Sequence, residues 1–88
     1  MNVAVDRSFE RDTDKISDKK LLLRVAACID EAKAAASPSE IKNLKKLKGF
    51  RYHYRIRIGE YRAGVTVKGV EIKFIRFLHR KDVYRYFP

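Results

Sequence analysis

Residues 54–62 read Tyr54-Arg55-Ile56-Arg57-Ile58-Gly59-Glu60-Tyr61-Arg62. Apolar and basic side chains alternate along the first five. Successive side chains on a strand point to opposite faces, so the pattern predicts a strand, a tight turn at Gly59-Glu60 and the start of a second strand. Tyr52, Tyr54, Ile56 and Ile58 would enter a core. Arg51, His53, Arg55 and Arg57 would stand on the other face, in water or against a phosphate, and Arg62 returns on the next strand.

Downstream, residues 61–67 alternate again, with Tyr61, Ala63, Val65 and Val67 on one face and Arg62, Gly64 and Thr66 on the other. Lys68-Gly69 reads as a turn. A third strand is expected over residues 70–79, with Glu71 and Lys73 outward. Its later part, Phe74-Ile75-Arg76-Phe77-Leu78, is apolar on both faces apart from Arg76, as in a central strand. Two-residue turns join neighbouring antiparallel strands. Residues 81–87 are expected to form a short helix or an irregular tail.

Upstream, Ser37-Pro38-Ser39-Glu40 is a capping-box pattern with Pro at the first helical position. It predicts a short helical turn with Ile41, Leu44 and Leu47 inward, Lys42, Lys45, Lys46 and Lys48 outside, and Gly49 at its end. Before it, Ser17 or Asp18 caps a longer helix to about Ala36, with Leu22, Val25, Ala26, Ile29, Ala32 and Ala36 as its apolar stripe. Arg24, Asp30, Glu31 and Lys33 lie off that stripe. Ser8 is the expected cap of a first helix from Phe9 to about Ile16, whose apolar face is thin. Asn2–Val5 is a short expected strand, with Val3 and Val5 on one face. The whole is an α+β domain over residues 1–88: a small antiparallel β-sheet packed against an N-terminal α-helical hairpin.

The charge is uneven. Residues 1–41 carry seven Lys/Arg and eight Asp/Glu, net −1, and residues 42–88 carry fourteen and three, net +11, which sum to the overall +10. A polyanion-binding surface therefore belongs to the second half, where the cations are interleaved with aromatics. No apolar run approaches the ~20 residues of a membrane span, and residues 1–6 lack the pattern of a signal peptide. The lone Cys28 has no internal disulfide partner, in keeping with a reducing cytoplasm. Cys28, His53 and His79 lack metal-ligand spacing, and no glycine-rich phosphate loop is present, so neither metal nor cofactor is expected.

Four segments in order resemble the RelE/ParE superfamily of toxins from type II toxin–antitoxin pairs. They are Ser8-Phe9-Glu10-Arg11-Asp12, Leu44-Lys45-Lys46-Leu47-Lys48-Gly49, Tyr54–Arg62 and His79-Arg80-Lys81-Asp82-Val83-Tyr84. The resemblance covers nearly the whole chain and implies an antiparallel sheet with a helical hairpin on one face. RelE-like members cleave messenger RNA, typically in the ribosomal A site, and ParE-like members inhibit DNA gyrase. The RelE-like branch is favoured because Arg62, Arg80 and Tyr84 occur together. A ParE-like gyrase inhibitor, or an inactive relative that only binds its antitoxin, is the alternative.

By matching position, the resemblance implies a ribosome-dependent endoribonuclease whose catalytic set is Arg55, Arg57, Arg62, Arg80 and Tyr84. His79 stands beside them as the residue suited on chemical grounds to move a proton near neutral pH. Cleavage through the 2′-hydroxyl needs charge neutralised on the phosphorane, which guanidinium forks do well. Arg80 would stabilise the phosphate or the leaving group. Tyr84 would act as base, stack on a base or orient the 2′-hydroxyl. Arg51, His53, Lys45, Lys46, Lys48, Lys81 and Arg85 are the expected RNA-binding surface. The family also implies a cognate antitoxin protein, in a toxin–antitoxin hetero-oligomer, with mRNA and the ribosome as the other partners. The residues after Arg62, Ala63-Gly64, are smaller than the aliphatic residues often found there in the family.

Overall fold

The alternating stretch lies inside a five-stranded sheet. The structure, a computed structural model, describes residues 1–88. Its strands are β1 (Asn2–Val5), β2 (Leu44–Lys46), β3 (His53–Ile58), β4 (Tyr61–Lys68) and β5 (Glu71–His79), in the spatial order β1-β5-β4-β3-β2. The helices are α1 (Arg7–Asp14), α2 (Lys19–Ala34) and α3 (Val83–Tyr86), with a single 3-10 turn at Pro38–Glu40. Gly59 and Gly69 turn the β3–β4–β5 meander with φ of 59° and 58°, in the left-handed region that glycine adopts without a Cβ penalty.

One face of the sheet carries Ile56, Ile58, Ala63, Val65, Val67, Ile72, Phe74 and Phe77, buried under Phe9, Val25, Ala32, Ala35 and Ile41. Phe9 of α1 meets Phe74 and Phe77 edge-on, with ring centroids 5.4 and 5.8 Å apart. A smaller cluster, Leu47, Val83 and Phe87 with Ile75 and Leu78, lies apart from this core.

Phe74 and Phe77 reach the same core although they stand an odd number of positions, three, apart. The register runs Val65↔Phe74 and then Gly64↔Arg76, so Ile75 has no partner across β4. This one-residue bulge shifts the alternation of β5 by one position. It accounts for a segment that reads as apolar on both faces.

The expected α+β architecture is present, with one addition: β1 joins the edge of β5 in parallel, from Asn2↔Glu71 to Val5↔Phe74, making the sheet mixed. Beyond Val5 the edge of β5 is open, and α1 takes over the role of a strand. The Asp12 carboxylate accepts the Phe77 N–H at 2.9 Å and a two-point contact from Arg76, at 2.7 Å from Nε and 3.2 Å from Nη2. Asp12 is buried, and its side-chain contact raises the Arg76 pKa. An orphaned backbone donor and two ionised groups are thus satisfied together.

Several local expectations differ. Asp6 caps α1 in place of Ser8, accepting the Ser8 N–H at 3.2 Å, and α1 ends at Asp14, short of Ile16. Asp18 caps α2 by accepting the Leu21 N–H. The stripe of α2 is rotated: Val25 and Ala32 are buried, Cys28 and Ile29 pack on the core, and Ala26 and Ala36 are exposed. Burial, reinforced by Glu31, pushes the Cys28 thiol up to about 11. Residues 44–46 are a strand, not helix. Asn43 takes φ 64°, which breaks a right-handed helix, and β2 then pairs with β3 from Leu44↔Ile56 to Lys46↔Tyr54. Leu44 packs on the main core and Leu47 on the smaller cluster, as an odd spacing in extended chain requires. Tyr52 is 38% exposed beside Arg51 and Lys68, outside the core expected of it. Residues 83–86 form the short helix that the tail allowed.

Candidate active site

Arg55 and Arg57 share the face of β3 opposite the main core, because Ile56 and Ile58 point into it. Arg57 stands directly across from Arg62 of β4, and Arg55 across from Gly64. Like charges directly opposite one another in a sheet are destabilising. An apo fold gains nothing from this pair, whereas an anion between the two forks would reverse its sign.

Arg80 follows β5. Its N–H donates to the Glu60 carbonyl at 2.8 Å, and its Nε pairs with the Glu60 carboxylate at 2.7 Å. The β3–β4 turn therefore holds Arg80 beside the other arginines. Arg57, Arg62 and Arg80 line an open cleft of about 480 Å³ that no apolar side chain enters. Glu60 is its only carboxylate; Asn43 and Arg24, neither of them singled out by sequence as site residues, also line it.

Arg62 is oriented by its own turn. Its Nη1 donates to the Gly59 carbonyl at 3.1 Å and to the Tyr61 carbonyl at 2.9 Å. Its pKa is lowered, first by partial burial and then by Arg55, with Arg57 and Arg80 acting in the same direction and Tyr84 against it. The five side chains therefore form one electrostatic group. Arg55 donates from Nη1 to the Asn43 carbonyl at 3.4 Å, and its buried Nε has no partner. A buried donor without an acceptor costs ~1–3 kcal/mol.

Tyr84 reaches this group through Gly64. An ideal Cβ at Gly64 would lie 2.6 Å from the Phe87 ring, so only glycine lets that ring settle on the sheet. Phe87 and the fully buried Val83 anchor α3 over the arginine face, leaving Tyr84 65% exposed within range of Arg62. The small residues after Arg62 thus make a seat for α3.

His79 is not brought to the arginines. It pairs across from Tyr61, lies edge-on to that ring at 5.4 Å, and Tyr61 stacks on Phe77 of the main core. Its Nδ1 accepts the Lys81 N–H at 3.2 Å. The bulge at Ile75 is the cause: unbroken alternation from Glu71 and Lys73 would have carried His79 to the arginine face. His53 is wedged between Phe50 and Phe87, at 5.4 and 5.6 Å between ring centroids, and serves packing. Lys45 pairs across from Arg55 and extends the basic face. Lys46, Lys48 and Arg51 are exposed around the 47–52 loop at the far end of β3. Lys81 is exposed after β5, and Arg85 leans over Tyr86 at 5.8 Å.

No family model matches the chain. It is 38% identical over 89 residues to toxin RelE3 of Methanocaldococcus jannaschii, spanning the full length of both. It resembles a chain of a RelB–RelE antitoxin–toxin complex from Methanococcus jannaschii, with 36% identity, 97% and 99% of the two chains covered, and a TM-score of 0.80. A YoeB dimer from Staphylococcus aureus shares the fold at 21% identity, with 91% and 97% covered and a TM-score of 0.72.

Proposed function

Because this chain belongs to the RelE family of toxins from toxin–antitoxin systems, we propose that it is a metal-independent, ribosome-dependent endoribonuclease. It cleaves messenger RNA in the cytoplasm and is neutralised by a cognate antitoxin. The observation that carries the reading is the pair Arg57 and Arg62, set opposite each other with Arg55 and Arg80 alongside and one carboxylate among them.

The scissile phosphate occupies the cleft between Arg57, Arg62 and Arg80. The 2′-oxygen attacks phosphorus, the bond to the 5′-oxygen breaks, and the products are a 2′,3′-cyclic phosphate and a 5′-hydroxyl. Charge grows on the non-bridging oxygens in the transition state, and fixed guanidinium donors stabilise it more there than in the ground state. Arg62, held by two backbone carbonyls, is already oriented for this task. Arg55, on the same face of β3 as Arg57, adds a further positive charge beside Arg57 and Arg62. Tyr84 is the exposed group at the rim that orients the 2′-hydroxyl by a hydrogen bond; water takes the proton from the 2′-oxygen, and water protonates the departing 5′-oxygen. His79 has no part in the chemistry, being on the other face.

The site is shallow and carries few groups that read bases, which fits an enzyme whose substrate is aligned by the ribosome. The antitoxin's role is to supply the carboxylates that the arginine face lacks. The test is cleavage of a translated mRNA with and without programmed ribosomes, mapped by primer extension. Cuts within A-site codons only when ribosomes are present are the expected result. Cuts on free RNA would remove ribosome dependence and keep the nuclease. No cuts with folded protein would overturn the reading, and a gyrase supercoiling assay would follow.

A further inference from the structure

Arg24 lies on α2, outside the sheet that carries the other arginines. Its guanidinium nevertheless rests against the β3–β4 turn: a Cβ at Gly59 would be 2.9 Å from Arg24 Nη1. It lines the polar cleft together with Arg57, Arg62 and Arg80. It also lines a second, smaller cleft of about 200 Å³ on the helix side, with Cys28, Glu31 and Lys42. Three residues, Arg24, Asn43 and Arg57, belong to both clefts. They mark a notch in the sheet edge, where β2 begins at Leu44 and leaves the end of β3 uncovered.

No side-chain hydrogen bond or ion pair engages Arg24 in the fold. Neither carboxylate near it pairs with it: Glu60 pairs with Arg80, and Glu31 turns one oxygen to the Lys42 N–H at 2.9 Å. A cation placed at the junction of two grooves, with its donors free, is positioned for an anion that runs from one groove into the other.

We propose that Arg24 is a phosphate-binding residue of the RNA site, holding the backbone next to the scissile phosphate as the strand leaves the arginine face over the Asn43 notch toward α2. The proposal rests on the nuclease reading above and adds a second wall to its site. Arg57 and Arg62 grip the phosphate from the sheet, and Arg24 grips its neighbour from the helix. Its role is to fix the register of the strand and not to touch the reacting atoms.

The probe is a single-stranded RNA oligonucleotide with 2′-O-methyl groups, which binds but cannot be cut through its 2′-oxygen. Binding is followed by fluorescence anisotropy over a range of salt for the wild type, Arg24→Ala, Arg24→Lys, Arg62→Ala and Arg11→Ala. Arg11 is an exposed α1 residue, so Arg11→Ala removes the same charge elsewhere on the surface. Arg24→Ala is expected to weaken binding several-fold and to reduce the slope of log affinity against log salt by ~0.7, the value for one phosphate on a single strand. Arg24→Lys is expected to restore the slope but only part of the affinity, and Arg11→Ala to leave the slope at its wild-type value. Thermal unfolding of each variant confirms that the fold is retained. If Arg24→Ala follows Arg11→Ala while Arg62→Ala loses binding, the role of Arg24 is overturned and the nuclease reading stands. If the wild type neither binds this RNA nor cuts on ribosomes, both are overturned.

Discussion

Arg76 and Arg62 sit on adjacent strands of one sheet, and their surroundings are opposite. Arg76 has a carboxylate at two points, and Asp12 raises its pKa. Arg62 has two backbone carbonyls and three other arginines in range, and its pKa is lowered. The first is an internal tie: it closes the open edge of β5 and joins α1 to the sheet. The second is an unmet demand for negative charge. In a chain of net charge +10, counting arginines does not separate these roles; what separates them is whether the fold supplies the counter-charge.

The contrast predicts effects of different kinds. Arg62→Ala should lower ribosomal mRNA cleavage about 10²–10³-fold, the usual loss for one transition-state donor, while the urea midpoint holds or rises. A large loss of stability instead would mean that Arg62 is structural like Arg76. Asp12→Ala should cost about 3 kcal/mol in urea unfolding, because it strands the Arg76 charge and the Phe77 N–H. Replacing Arg76 by Met in the same chain should recover part of that loss, which a purely steric role for Asp12 would not allow. Gly64→Ala should cost about 1–3 kcal/mol through its clash with the Phe87 ring. It should also lower cleavage as α3 lifts Tyr84 away, and unaltered cleavage would remove Tyr84 from the site. The smallest change is expected for Arg57→Ala, which relieves the cross-strand repulsion with Arg62 and should raise stability by about 0.5 kcal/mol. A fall in stability there would break the distinction between the two kinds of arginine.

Much of this was legible in the sequence because strand alternation is local. The faces of β3 and β4, and hence the meeting of Arg55, Arg57 and Arg62, follow from period two alone. The stretch around Leu44 was not legible: Ile41, Leu44 and Leu47 satisfy helical spacing, and only the left-handed Asn43 and the open edge of β3 make it a strand. His79 was misplaced by a single residue, because nothing local announces the bulge at Ile75. The Asp12–Arg76 tie joins residues 64 apart, and no periodic pattern connects them. Arg24 was visible only as a residue off the apolar stripe; its nearness to Gly59 depends on how α2 crosses the sheet.

The parallel pairing of β1 with β5 bears on the order in which the protein is made. Residues 2–5 find their partner in residues 71–74, and Phe9 packs on Phe74 and Phe77. A nascent chain that stops before Glu71 has α1 and α2 but no strand for β1 to join and no surface for Phe9. Such late, long-range contacts slow folding and keep the early segments waiting. Arg80, Tyr84 and Phe87 emerge later still. The arginine cleft therefore assembles only near the end of synthesis, and a prematurely released fragment carries β3 and β4 without Arg80, Tyr84 and the Phe87 ring that settles on Gly64.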